Sequence, residues 1–159
     1  MANRQSWDEY FVELLDHLSS RSTCDRGKPA TIITKDNRIL STGYAGSPSG
    51  LPHCDDVGHE LATMIKENGT QSQHCIRTIH SEINAIVNAA RYGIALEGGT
   101  LYSTMTPCYS CAKAVINAGI KRIIVKNRYH TDERSIEAFR EARIKFKSLS
   151  EKQINYKNK

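Results

Sequence analysis

The sequence predicts an α/β fold: three α-β-α layers, with helices on both faces of a mixed five-stranded sheet. Three observations carry that expectation. Helical and β-rich segments alternate along the chain in the order α-β-β-α-β-α-β-α-β. A hairpin signal lies near the N-terminus. Two helices begin on short clusters of metal-ligating residue types.

The first helix spans residues 7–18. Trp7, Tyr10, Phe11, Leu14, Leu15 and Leu18 recur at helical spacing. Ser6 and Glu9 have the spacing of a capping box. Residues 30–34 and 38–44 are β-rich, and Lys35-Asp36-Asn37 supplies the turn between them. The stretch 45–77 is rich in loop formers. We expect one short helix in it, near 59–67, ended by Asn68-Gly69. Residues 79–92 form a helix with Ile79, Ile83, Ile86, Val87 and Ala90 as its apolar face and Gly93 as its stop. A strand at 100–104 and a helix at 107–118, closed by Gly119, come next. A strand at 122–126, a helix at 132–142 and a half-buried strand at 144–149 complete the order.

At 159 residues, with 39% apolar and 25% charged side chains, the chain suits one domain, 1–159, with its own core. No apolar run reaches the roughly 18 residues of a membrane span, and residues 1–13 lack a signal-peptide core. These features point to a cytoplasmic protein with no membrane partner. The net charge of +5 resides mostly in residues 145–159, which carry five Lys and one Glu. No basic groove is indicated on the main body, so no nucleic-acid partner is expected, and residues 150–159 read as a solvated basic tail. The five cysteines are odd in number, and a reducing compartment disfavours disulfides. Metal binding or burial as free thiols is the better expectation.

Two motifs carry chemistry. In Pro107-Cys108-Tyr109-Ser110-Cys111, Pro suits a first helical position and Thr106 can cap it. Cys108 and Cys111 then share one face of the first turn, where the helix dipole favours thiolates. In His80-Ser81-Glu82, His and Glu two residues apart diverge in mid-helix, but at a helix N-terminus both can aim past the end. If the two tips converge, His80, Cys108 and Cys111 make three ligands for zinc. The fourth tetrahedral position is then left for water, as in a catalytic site. Glu82 would be the neighbouring base. The alternative is a closed zinc site completed by Cys24, Cys54 or Cys75, which would make the chain a zinc-stapled binding module without catalysis.

The HxE…PCxxC pattern is the known signature of zinc deaminases acting on cytosine or adenine. The chain more narrowly resembles the deoxycytidylate (dCMP) deaminases of the cytidine/deoxycytidylate deaminase superfamily. The matching segments are 43–48 (GYAGSP), 75–86 (CIRTIHSEINAI), 102–113 (YSTMTPCYSCAK) and 118–125 (AGIKRIIV). The resemblance spans roughly residues 20–147. It implies a cytidine-deaminase-like fold, zinc on His80, Cys108 and Cys111, and Glu82 as proton shuttle. The implied reaction turns dCMP into dUMP and ammonia and so supplies dUMP for thymidylate synthesis. It also implies a homohexamer activated by dCTP and inhibited by dTTP, with Mg²⁺ at the triphosphate. A related alternative is deamination of a base in tRNA or single-stranded DNA.

Two positions depart from the family pattern. Ser81 stands where Ala is usual, a small change with little expected effect. Ala45 stands where Asn is usual, in the motif Tyr44-Ala45-Gly46 near the nucleotide sites. It lacks the amide donor and acceptor and so bears on effector response. Some relatives carry a second, structural zinc. Cys24, Cys54, His74 and Cys75 are the candidates here, with His53 and His59 as alternates and free buried thiols as the competing reading. For phosphate contacts, Arg91 matches an Arg near nucleotide in the family. Tyr129 follows a strand end, and Arg26 and Asn84 are further candidates.

Overall fold

The computed structural model describes residues 4–65 and 69–154. Its helices are α1 (Trp7–Ser19), α2 (Cys54–Val57), α3 (Ser81–Arg91), α4 (Tyr109–Asn117) and α5 (Glu133–Glu141). Its strands are β1 (Ala30–Lys35), β2 (Arg38–Tyr44), β3 (Leu61–Ile65), β4 (Gln71–Cys75), β5 (Thr100–Met105), β6 (Arg122–Tyr129), β7 (Lys145–Ser148) and β8 (Gln153–Ile154). The main sheet runs β2-β1-β5-β6-β7. β1 is antiparallel to both of its neighbours, while β5, β6 and β7 are parallel. The sheet is mixed as expected, but β8 pairs with β6 and makes it six-stranded rather than five-stranded.

Strand alternation sorts the core into two layers. Ile32, Tyr102 and Ile124 face α1 and pack with Phe11, Val12 and Leu15. Ile33, Leu101, Ile123 and Val125 point the other way, onto Ala85, Ala112, Val115 and Phe139 from α3, α4 and α5. Each large aliphatic or aromatic side chain buried this way contributes about 2 kcal/mol of transfer free energy. The capping box at Ser6 and Glu9 starts α1. Asp8 then ties α1 to the sheet: Arg122 donates twice to its carboxylate, at 2.9 and 2.5 Å, and the Tyr102 hydroxyl donates at 2.8 Å. The β1–β2 hairpin turns on Asp36 and Asn37, both left-handed at φ 50° and 59°, the tight two-residue turn that matches strand twist.

The structure revises four expectations. First, the helix expected at 59–67 is absent over 59–65, and residues 66–68 lie outside the described residues. α2 comes earlier, and Leu61–Ile65 pairs antiparallel with Gln71–Cys75 as a separate hairpin. Thr63 and Ile65 are β-branched, which favours strand over helix. Second, α3 is rotated from its expected face. Val87 is 53% exposed, while Ser81, Glu82, Ala85 and Ala89 are buried. The cause is close packing against β2, where a Cβ on Gly43 would run into the Ser81 carbonyl and the Ala85 nitrogen. Only small side chains fit at that contact. Third, Cys108, not Thr106, is the N-cap of α4. The Thr106 hydroxyl is drawn away to Asp132 Oδ2, 2.8 Å distant. Fourth, the basic tail is not wholly solvated. Gln153 and Ile154 pair in parallel with Arg128 and Tyr129 at the end of β6, and residues 155–159 lie outside the described residues.

Candidate active site and a second cluster

α3 and α4 begin beside each other at the C-terminal ends of the central strands. Each exposes its first turn, where backbone N–H groups lack helical partners. His80 is the N-cap of α3 and Cys108 that of α4, and neither side chain caps its own helix. Both are thereby free to point across the gap. A backbone bridge between Gly46 and Ile79, with the Ile79 N–H donating to the Gly46 carbonyl at 2.9 Å, fixes the approach to His80.

His80 Nδ1 lies 3.5 Å from Cys108 Sγ and 3.3 Å from Cys111 Sγ. Tetrahedral zinc with ordinary bond lengths separates its N and S ligands by roughly 3.5 Å. The trio therefore has the size of one face of a zinc tetrahedron. Among the described residues no fourth His, Cys, Asp or Glu donor joins it. The pairing also polarises the group. The hydrogen bond to Cys108 lifts His80 to about 9. The hydrogen bonds from Cys111 and His80 bring Cys108 down to about 4, while Cys111 is pushed up by its bond to Cys108 and by burial. One thiolate is thus available near neutral pH, which suits a cationic metal.

Glu82, 5% exposed, lines the same cleft as His80 and Cys108. Burial raises its carboxyl above the ordinary range, with His80 opposing and Cys108 adding to the rise. Met105, Thr106 and Tyr129 continue the cleft wall. An adjoining recess shares His80, His74 and Cys75 with the cleft and is lined also by Arg26 and Ala45.

The second cluster comprises Cys24, Cys54, His59 and Cys75, whose ligand atoms lie within 4.8 Å of one another. Cys24 Sγ is 3.6 Å from His59 Nδ1, and Cys54 Sγ is 3.6 Å from Cys75 Sγ. His59 thus occupies the place expected for His74. The reason is strand alternation: His74 and Cys75 are neighbours on β4 and point to opposite sides, so Cys75 in the cluster excludes His74. His74 Nε2 pairs instead with the Ser72 hydroxyl at 3.0 Å, and His53 Nδ1 with that of Thr23 at 3.1 Å.

The remaining candidates separate cleanly. Arg26 is buried at the recess, its guanidinium donating to the Gln73 carbonyl at 2.7 Å, and Tyr129 lines the cleft. Arg91 is exposed at the far end of α3, about 16 Å along the helix from His80, and does not line the cleft. Asn84 is spent on structure, its amide donating to the Tyr44 carbonyl at 2.9 Å. Ala45 is buried, its N–H donating to the Pro29 carbonyl. Sequence reasoning missed Asp132, which is fully buried. Arg128 grips both of its oxygens, at 2.7 and 3.1 Å, and it receives the Thr106 hydroxyl. The spacing of Arg128 and Asp132 was the available signal, but it does not show that Thr106 joins them.

Residues 5–127 match the family model for the cytidine and deoxycytidylate deaminase zinc-binding region. ComE operon protein 2 of Bacillus subtilis is 36% identical over 98% of this chain and 79% of that protein. The deoxycytidylate deaminase of Mycobacterium phage D29 is 32% identical over 77% of this chain and 95% of that protein. The fold matches the crystal structure of the dCMP deaminase of cyanophage S-TIM5 in complex with dCMP and dUMP. The TM-score is 0.71 and the identity 27%, over 89% of this chain and 95% of that one. The chain therefore belongs to the cytidine and deoxycytidylate deaminase family and is a zinc-binding deaminase.

Proposed function

We propose that the protein converts dCMP and water to dUMP and ammonia, with zinc held by His80 Nδ1 and the sulfurs of Cys108 and Cys111. The observation that carries this reading is the meeting of two helix tips with a buried carboxylate in one cleft. Zinc, when bound, supplies a Lewis acid that makes hydroxide accessible near neutral pH. Glu82 takes one proton from the attacking water and delivers it to ring N3; it then takes the second from the hydroxyl newly bonded to C4 and delivers it to the amine as the C4–N bond breaks, leaving ammonia and the C4 carbonyl of dUMP. One proton-carrying group suffices because each transfer leaves Glu82 ready for the next.

The neighbouring recess gives the nucleotide's phosphate a cation: Arg26, with Tyr129 as a second contact across the cleft. The four donors of Cys24, Cys54, His59 and Cys75 hold a second, structural zinc that fastens the β3–β4 hairpin beside that recess. The same resemblance supports a cytoplasmic homohexamer activated by dCTP and inhibited by dTTP, each with Mg²⁺. Ala45 weakens that response, since it presents no amide to a nucleotide in the recess. No described helix is long and apolar enough to cross a membrane.

The test is ammonia release from dCMP, dCTP, deoxycytidine and a tRNA anticodon stem, each with and without dCTP and dTTP as effectors. We expect dCMP to be turned over fastest. Turnover of the tRNA stem alone would replace this reading with that of a nucleic-acid base deaminase.

A further inference from the structure

Ser81 is a small departure from the family pattern, yet its hydroxyl touches the carboxylate beside it. Ser81 Oγ donates to Glu82 Oε2 at 3.1 Å, and both side chains are buried. Behind Ser81 stands a file of buried hydroxyls. Thr31 Oγ1 is 2.9 Å from Ser81 Oγ and 3.4 Å from Ser103 Oγ, and Ser103 Oγ donates to the Ala30 carbonyl at 3.3 Å. Thr31, Ser81 and Ser103 each have no exposed surface.

A hydroxyl owns one hydrogen. With that of Ser81 given to the carboxylate, the single Thr31 hydrogen goes to Ser81 across the 2.9 Å contact rather than to Ser103 across the longer 3.4 Å one. The direction of donation therefore runs from the sheet, through Thr31 and Ser81, to Glu82. Three hydroxyls buried without exposure carry a desolvation cost that only such pairing offsets. Glu82 needs the restraint. Its terminal torsion has broad wells, so burial alone does not choose which oxygen faces the cleft. The Ser81 hydroxyl engages Oε2 and so restricts rotation about that torsion, leaving Oε1 outside this hydrogen bond.

We propose that Ser81, braced by Thr31, is a positioning residue that holds the Glu82 carboxylate in its productive orientation, an inference that rests on Glu82 being the proton shuttle. It acts only through Glu82. Its loss should lower the rate of the proton-transfer steps and leave substrate binding and metal content alone.

The experiment compares Ser81→Ala, Thr31→Val and their double variant with the parent enzyme on dCMP, recording kcat, KM, zinc per chain and melting temperature. Ser41→Ala serves as the control. The Ser41 hydroxyl is likewise buried and donates to the Ala85 carbonyl of the same helix at 2.7 Å, but it does not touch Glu82. We expect Ser81→Ala to lower kcat about tenfold with KM within about twofold and zinc unchanged. Thr31→Val should lower kcat less, and the double variant no further than Ser81→Ala alone, because both act through one contact. Ser41→Ala should change melting temperature without lowering kcat. The inference is overturned if Ser81→Ala keeps the parent kcat, if Ser41→Ala lowers kcat as much, or if the two losses simply add. Should Ser81→Ala not fold, Thr31→Val decides alone, and parent-like kcat there rejects the bracing. Glu82→Gln separates the two readings. If it stays active, the shuttle assignment fails and the positioning inference with it. If it is inactive while Ser81→Ala matches the parent, only the positioning inference fails.

Discussion

The two sulfur-and-imidazole clusters are built from the same residue types with similar distances between ligand atoms, 3.3 to 3.6 Å, yet they sit on very different scaffolds. His80, Cys108 and Cys111 stand on the tips of α3 and α4, whose inner faces, through Ala85, Ala89, Ala112 and Val115, pack into the larger core layer. Cys24, Cys54, His59 and Cys75 stand on loops, a single-turn helix and a two-stranded hairpin outside the main sheet. The first cluster has three donors and opens into a cleft beside a carboxylate; the second has four. A site held by packed helices does not need its metal for shape, so one coordination position can serve chemistry. A site on elements that bury little apolar surface needs a closed metal to define its shape.

The sharpest break in the comparison is chemical. Glu82→Gln should lower dCMP turnover about 1000-fold while zinc stays bound. Substantial residual turnover would remove Glu82 from the shuttle role. Next in size is the identity of the fourth donor in the second cluster. His59→Ala should lose one zinc per chain and about 3 kcal/mol of stability, a fall of roughly 10 °C in melting temperature. His74→Ala should keep both ions. The reverse pattern would restore His74 as the ligand. Arg26 probes what the second cluster frames. Arg26→Ala should raise KM for dCMP about 30-fold and barely change that for deoxycytidine, which has no phosphate. Equal losses for both would mean a structural role.

The smallest effect lies away from both clusters and should not depend on metal. Burial pushes the Asp8 carboxyl up, but the hydrogen bonds from Arg122 and Tyr102 outweigh it, so its folded value lies below 3.8. A depressed carboxylate stabilises above its unfolded value and loses that contribution as pH falls through the folded one. Asp8→Asn should therefore cost about 1 kcal/mol at pH 6. The deficit relative to the parent should shrink as pH drops below 3.8. Urea titrations at several pH values check this, and a deficit that grew on acidification would contradict it.

What the sequence disclosed follows from how local each signal is. The helix tips were legible because Pro107-Cys108-Tyr109-Ser110-Cys111 and His80-Ser81-Glu82 each encode their geometry within one turn. Most of the succession of helices and strands was legible from the apolar periods; the strand order within the sheet was not, because pairing partners lie far apart in the chain. The face of α3 was not, because the fit of Ala85 and Ala89 against Gly43 is a property of two elements together. Choosing His59 over His74 required knowing that residues 71–75 form a strand, and Gln71-Ser72-Gln73-His74 carries no apolar alternation to reveal it. The pairing of Gln153 and Ile154 with β6 was hidden by the lysines around them. The link from Ser81 to Thr31 joins residues 50 positions apart, beyond any motif.

The most direct test of the account sets zinc per chain against dCMP turnover in the parent, Cys108→Ala and Cys54→Ser proteins. We expect two zinc ions and full turnover in the parent, and one ion with no turnover in Cys108→Ala. Cys54→Ser should hold one ion and turn dCMP over in a less stable protein. Turnover that survives in Cys108→Ala and vanishes in Cys54→Ser would contradict the assignment of chemistry to the helix tips.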